Sequence, residues 1–191
     1  MMHSPYPVML DACVLYPARL RDLLMHLGLR GLYQPKWTAT IQQEWKRGLL
    51  RERKDIEPSK LDRIEQLMNQ ALPDAEITGY EALIAGLDLP DPDDRHVLAA
   101  AIKANAELIV TFNLQDFPAG YLSQFGIEAI HPDEFVSDII DLSCARALQA
   151  VSAQRASLKH PPFTAEAFLS ALLQLGLAKT VRMLEGYKTL I

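Results

Sequence analysis

The sequence is poor in cysteine: among 191 residues only Cys13 and Cys144 occur. Two thiols cannot build a disulfide framework, so an apolar core must hold the fold. Cys13, inside an apolar stretch, reads as a buried thiol. No apolar run approaches the roughly 18 residues of a membrane-spanning helix. The first residues show no basic stretch followed by an apolar one, so no secretory signal is expected. Internal repeats and low-complexity tracts are missing too. The chain is not a polycation, since its net charge is −5. These absences fit a cytoplasmic globular protein. Hydrophobic residues make up 49% of the chain, enough for a proper core. The length suits one domain, or one domain with an appendage.

Charge is unevenly distributed. Residues 141–191 carry six basic against three acidic side chains, a net +3, which leaves residues 1–140 at −8. Within that acidic part, Lys36, Lys46, Arg47, Arg51, Arg53 and Lys54 face only Glu44 and Glu52, a local +4.

Short apolar runs alternate with helix-period segments. Val8 to Leu10 reads as a buried strand ending at Asp11. Arg19 to Leu29 carries leucines on one helix face and is stopped by Gly28 and Gly31. Thr38 and Thr40 suit a helix start, with Ile41, Trp45 and Leu49 at helix spacing. Pro58 opens a further helix through Ala71, and Pro73 ends it. Ala75 to Thr78 is a candidate strand, followed by a short helix up to Gly86, then a helix from Asp91 to Ala104. Residues 107–112 and 126–130 are two more strand candidates. Strands alternating with helices predict an α/β parallel sheet flanked by helices. Beyond it, 142–157, 164–175 and 178–190 read as helices. Their apolar faces (Leu142, Ala145 and Leu148; Phe168, Leu169, Leu172 and Leu173; Val181 and Leu184) require a partner surface. The expected division is 1–140 for the α/β unit and 141–191 for a helical C-terminal extension.

The segment LPDPDDRHVLAAAI crowds Asp91, Asp93 and Asp94 into four positions. A helix start explains part of this. Asp91 suits an N-cap, Pro92 the first helical position, and acids complement the helix dipole. Asp94, however, precedes Val97, Leu98 and Ala101 on the buried face of the same helix. A carboxylate there is costly unless paired or metal-bound. Other polar groups fall at comparable places. Asp11 ends the first strand, Glu44 lies on an apolar helix face, and Asn113 and Asp116 follow the LIVTF strand. Taken singly, Asp11 could cap the next segment, Glu44 could pair with Lys46 or Arg47, Asn113 could serve a turn, and Asp116 could cap a helix. Together they fall where sites form in parallel α/β sheets, at the carboxyl ends of the strands.

These residues resemble the PIN domain, and within it the VapC-type toxin ribonucleases of toxin–antitoxin pairs. The matching pieces are VMLDACVLYP, TATIQQEW and LPDPDDRHVLAAAIKANAELIVTFNLQDFP, the last being the most specific. The resemblance covers about residues 6–135. It implies a PIN-like fold and an acidic site at Asp11, Glu44 and Asp94, with Asn113 where the family usually carries aspartate. Asp116 is the candidate to restore the missing charge, Asp93 an alternative to Asp94, and Thr111 the small hydroxyl residue lining the site. It implies an RNA substrate and a cognate antitoxin, and a homodimer is expected.

Clustered carboxylates cannot all ionise in one pocket without a cation. Oxygen ligands without nearby thiolate or imidazole suit Mg²⁺ or Mn²⁺, with Asp11 and Asp94 as the metal-holding pair. The expected reaction is in-line attack of hydroxide on a phosphodiester, leaving a 5′-phosphate and a 3′-hydroxyl. Lys36, Lys46, Arg47 and Arg51 are the candidate RNA contacts. His96, two residues past Asp94, reads as a surface or packing histidine. Trp45 reads as core, whereas Trp37, beside Pro35 and Lys36, reads as a loop residue open to base stacking. A haloacid-dehalogenase-like phosphatase would want an aspartate two residues after Asp11, where Cys13 stands. The stronger alternative is a weak or inactive PIN scaffold that binds RNA or protein.

Overall fold

A computed structural model describes residues 5–159 and 161–191. Its centre is a four-stranded parallel sheet in the order β2-β1-β3-β4. The strands are β1 (Pro7–Leu10), β2 (Gln34–Lys36), β3 (Leu108–Val110) and β4 (Glu128–Ile130). Val8, Met9, Leu10, Ile109 and Val110 are fully buried, as expected of a parallel sheet covered on both faces. The register pairs Leu10 with Val110, and Val110 with Ile130. The chain therefore leaves β1, β3 and β4 at one level, and Asp11 and Thr111 emerge side by side.

Helices fill the crossovers. They are α1 (Ala12–Leu15), α2 (Ala18–Leu29), α3 (Ala39–Glu52), α4 (Pro58–Ala71), α5 (Glu81–Ile84), α6 (Arg95–Lys103) and α7 (Ala119–Leu122). Leu20, Leu23, Leu24 and Leu27 of α2 are fully buried, which the leucine spacing predicts. Gly28 is required by packing. A Cβ there would stand 2.4 Å from Cγ of Pro35, so any side chain would push α2 off the sheet edge.

The expected parallel sheet flanked by helices is present, with three local differences. β2 is too short, and too unlike a strand, to be read from QPK; its proline is tolerated because β2 is an edge strand. The strand expected at 75–78 shrinks to one bridge between Trp37 and Glu76. Gly79, at φ +72°, then turns the chain away. The helix expected from Asp91 divides into a 3₁₀ turn, Pro92–Asp94, and α6.

The C-terminal part starts with α8 (Pro132–Leu142), a helix that the periodicity reading leaves out. Pro132 stands at its first position, and His131 Nδ1 accepts a hydrogen bond from Asp133 N at 3.1 Å. Then come α9 (Cys144–Ser157), α10 (Ala165–Gln174) and α11 (Ala178–Glu185). The break at Ser143 rotates α9 relative to the expected face. Leu142 and Ala145 are exposed, and the buried row is Ala147, Leu148, Ala150, Val151 and Gln154. Phe168, Leu169, Leu172, Val181 and Leu184 are buried as predicted, while Leu173 is exposed. Gln154 Nε2 donates to the Arg19 carbonyl of α2 at 2.8 Å, tying α9 to the α/β unit. Among the described residues, no helix is long and apolar enough to cross a membrane.

Candidate active site

The carboxyl end of the sheet gathers the acidic residues, each delivered by a different element. Asp11 is the residue after β1 and the N-cap of α1. Its Oδ1 accepts from Ala12 N at 2.7 Å, and its Oδ2 accepts from Thr111 Oγ1 at 2.7 Å and from Cys13 Sγ at 3.0 Å. Asp11 is 5% exposed and Thr111 fully buried. Thr111 Oγ1 in turn accepts from Asn113 N at 3.0 Å. The end of β1 and the end of β3 are thus stitched through one carboxylate. Burial, then the charge and hydrogen bond of Asp11, push the Cys13 thiol up to about 12. Cys13 is therefore a neutral hydrogen-bond donor at physiological pH, and only half-buried.

The three aspartates ahead of α6 divide the work that the sequence left joined. Asp91 is the cap, its Oδ1 accepting from Asp93 N at 2.9 Å. Asp93 is exposed. Asp94 makes no capping bond and is half-buried. Its carboxyl rises from the ordinary 3.8 to about 7, first through burial, then through the charges of Asp11, Asp91 and Asp116, with His96 acting in the opposite direction. Asp116 is half-buried, whereas Asn113 is exposed.

Glu44 reaches the same region from α3. Its Oε1 lies 2.9 Å from His96 Nε2 on α6, with the two side chains 36% and 11% exposed. Glu44 also lines a groove of about 600 Å³ with Arg47, Leu50, Arg51 and Lys54. Two of the expected RNA contacts are engaged elsewhere. Lys46 is buried against Asp62 at 2.8 Å and against Glu65, and Lys36 Nζ donates to the Asp74 carbonyl at 2.7 Å. The charge of Lys46 is neutralised by two carboxylates, Lys36 is turned to a backbone carbonyl, and Arg47 and Arg51 remain on the groove. Trp37 is not open for stacking: it is fully buried, with Nε1 bonded to Asn69 Oδ1 at 2.8 Å. Trp45 is core, as expected, with the Arg21 guanidinium 4.4 Å above its ring.

Sequence reasoning missed the partnership of His96 with Glu44 and that of Cys13 with Asp11 and Thr111. Residues 52 and 98 positions apart carry no local signal of contact. Among the described residues, no three His, Cys, Asp or Glu side chains are gathered closely enough to form a ready-made metal cage. The donors nevertheless fit a hard divalent cation in type and charge. They are carboxylate oxygens, and the Asp94 carboxyl is raised first by burial and then by three neighbouring acids that a cation would offset.

That shift predicts a pH dependence. An acid with a raised folded-state value binds its proton more tightly folded than unfolded. Its contribution to stability is complete below pH 3.8 and is lost as pH rises through about 7. In EDTA, Asp94→Asn should therefore gain Tm relative to the parent as pH goes from 4 to 8. A Tm difference that stays flat over this range would mean that neither burial nor the acidic neighbours raise the Asp94 carboxyl.

A family model described as the VapC50 C-terminal domain matches residues 132–186. A Mycobacterium tuberculosis (strain ATCC 25618 / H37Rv) protein named "Putative ribonuclease VapC50" is 42% identical over 94 residues, 49% of this chain and 55% of that protein. The chain thus spans about half the length of this curated relative. No solved structure matches the chain. The model described as the PIN domain matches residues 7–115, more than half of the chain. That stretch contains β1, α3, α6 and β3, the elements that deliver Asp11, Glu44, Asp94 and Thr111, and so the chain belongs to the PIN domain family.

Proposed function

We propose that the chain is a metal-dependent endoribonuclease of the VapC kind, the toxin of a type II toxin–antitoxin pair. The observation that carries this reading is Asp94. Its carboxyl is driven up to about 7 by burial and by Asp11, Asp91 and Asp116, and His96, two residues on, meets Glu44 on a basic groove. The PIN domain match and the likeness to a protein named as a ribonuclease support it.

In this reading Asp11 and Asp94 hold Mg²⁺ or Mn²⁺, and Glu44, Asn113 and Asp116 complete the catalytic set. A bound divalent ion would supply an activated water and offset charge at the scissile phosphate. Thr111 and Cys13 keep Oδ2 of Asp11 from turning away. Arg47 and Arg51, on the exposed side of α3, neutralise the RNA backbone. Residues 1–140 form the nuclease unit, and 141–191 the helical extension. A cognate antitoxin, a homodimer and a cytoplasmic setting belong to the same proposal, the last supported by two free thiols.

The test is cleavage of RNA by the purified protein with Mn²⁺ or Mg²⁺. Expected are 5′-phosphate ends, loss of activity in EDTA and recovery on adding metal. A protein that binds RNA but never cuts it would pass to the rival reading, a non-catalytic PIN scaffold, which Asn113 in the fourth position favours. The fourth position is decided separately by Mn²⁺ calorimetry. Asp116→Ala should weaken binding more than Asn113→Ala, because Asp116 is the half-buried acid acting on Asp94. The reverse order would return the fourth position to Asn113.

A further inference from the structure

His96 is a polar side chain near the site that this function does not use. It stands two residues after Asp94, and side chains at that spacing leave a helix in different directions. One helix start can therefore serve two neighbours. Asp94 answers to Asp11, Asp91 and Asp116, whereas His96 reaches across to α3, where its Nε2 is 2.9 Å from Oε1 of Glu44. A carboxylate only accepts hydrogen bonds, which puts the proton on Nε2. Nδ1 is buried with no partner among the described residues.

We propose that His96 is a positioning residue: its Nε2–H holds the Glu44 carboxylate at the edge of the basic groove, so that α6 supplies Asp94 directly and orients Glu44 through His96. This rests on the nuclease reading of the site. A residue serving packing alone would do better as an apolar side chain, because an unpaired buried polar nitrogen weakens the fold. The imidazole is explained by what its other nitrogen does. Glu44 is more than a third exposed and lines the groove, so without this bond it would sample several rotamers. Groups that hold a metal-site side chain from behind are commonly worth about 10- to 100-fold in metal affinity or activity.

The experiment compares wild type, His96→Phe, His96→Gln, Glu44→Ala and the Phe/Ala double variant. Three quantities are read: Tm, Mn²⁺ affinity by calorimetry, and kcat and KM for RNA cleavage. His96→Phe removes the donor and the unpaired nitrogen but keeps a ring. Its Tm should equal or exceed that of wild type, while kcat falls about tenfold or more and KM moves less. His96→Gln keeps an N–H donor and should recover most of kcat. The double variant should be no worse than Glu44→Ala, since His96 acts through Glu44. If Phe does not fit, His96→Leu poses the same question. Wild-type kcat and Mn²⁺ affinity in a folded His96→Phe or His96→Leu would overturn the proposal, and so would losses that add in the double variant. Should wild type cut no RNA, the nuclease reading falls. Mn²⁺ affinity then decides His96: a weakening shared by His96→Phe and Glu44→Ala keeps the positioning role, and an unchanged affinity in His96→Phe ends it.

Discussion

Asp94→Ala should abolish metal-dependent RNA cleavage and leave the protein folded. Asp94 makes no capping bond, since Asp91 performs that service for the turn ahead of α6. Its carboxyl instead sits half-buried among Asp11, Asp91 and Asp116. Removing it lowers the repulsion and should not harm the metal-free fold. It also removes one of the two carboxylates proposed to hold the ion. Groups behind a metal ligand are worth about 10- to 100-fold, so loss of a ligand should exceed 100-fold in kcat/KM. Asp11→Ala should be as damaging to cleavage but less clean. Asp11 caps α1 and accepts from Thr111 and Cys13, so its removal should also cost about 1–2 kcal/mol of stability. Single-turnover cleavage with Mn²⁺ is the measurement, with thermal unfolding alongside. Wild-type rates in a folded Asp94→Ala protein would show that the site lies elsewhere.

Asp133→Ala should destabilise the protein strongly for a change at a polar residue. Asp133 lies on α8 yet caps α11: Oδ2 accepts from Lys179 N and Oδ1 from Thr180 N, both at 2.8 Å. These are the free amides of the first turn of α11, at the positive end of its dipole. Asp133 is 9% exposed, and Thr180 is fully buried. Truncation removes two charge-assisted bonds and strands buried donors, at a cost of about 3 kcal/mol. For a chain of this size that corresponds to a Tm lower by about 6–12 °C. Asp133→Asn keeps one acceptor and should lose less than half as much. A Tm within about 2 °C of wild type in Asp133→Ala would mean that apolar faces alone dock α11. Phe168, Leu172 and Leu184 would then carry the attachment.

The helices were the most legible part of the fold. The leucines of α2, Thr38 ahead of α3 and Pro58 at the start of α4 are local signals, written within a few residues of what they specify. β2 and α8 were not legible. Three residues with a central proline carry no strand pattern, and QPK is a strand only because Val8 offers Pro35 an edge to lie on. α8 follows β4 after one residue and ends one residue before α9, so its period merges with its neighbour's. The candidate site was legible in part. Asp11, Glu44 and Asp94 could be named because each stands beside a strong apolar pattern. The charges of Lys36 and Lys46 were visible, but the bond of Lys36 to the Asp74 carbonyl and the neutralisation of Lys46 by Asp62 and Glu65 were not.

By itself, the sequence determined the α/β class, most helices, and the acidic residues at the strand ends. Periodicity, capping and turn chemistry act over one or two turns of chain, so the residues that obey them can be read in order. Only the tertiary structure decided which acid caps and which is left uncompensated, which cations stay free, and that His96 belongs to Glu44. Those outcomes depend on distances between residues far apart in the chain. Charge, burial and hydrogen bonding act through space, and proximity in space exists only once the sheet has brought β1, α3 and α6 together.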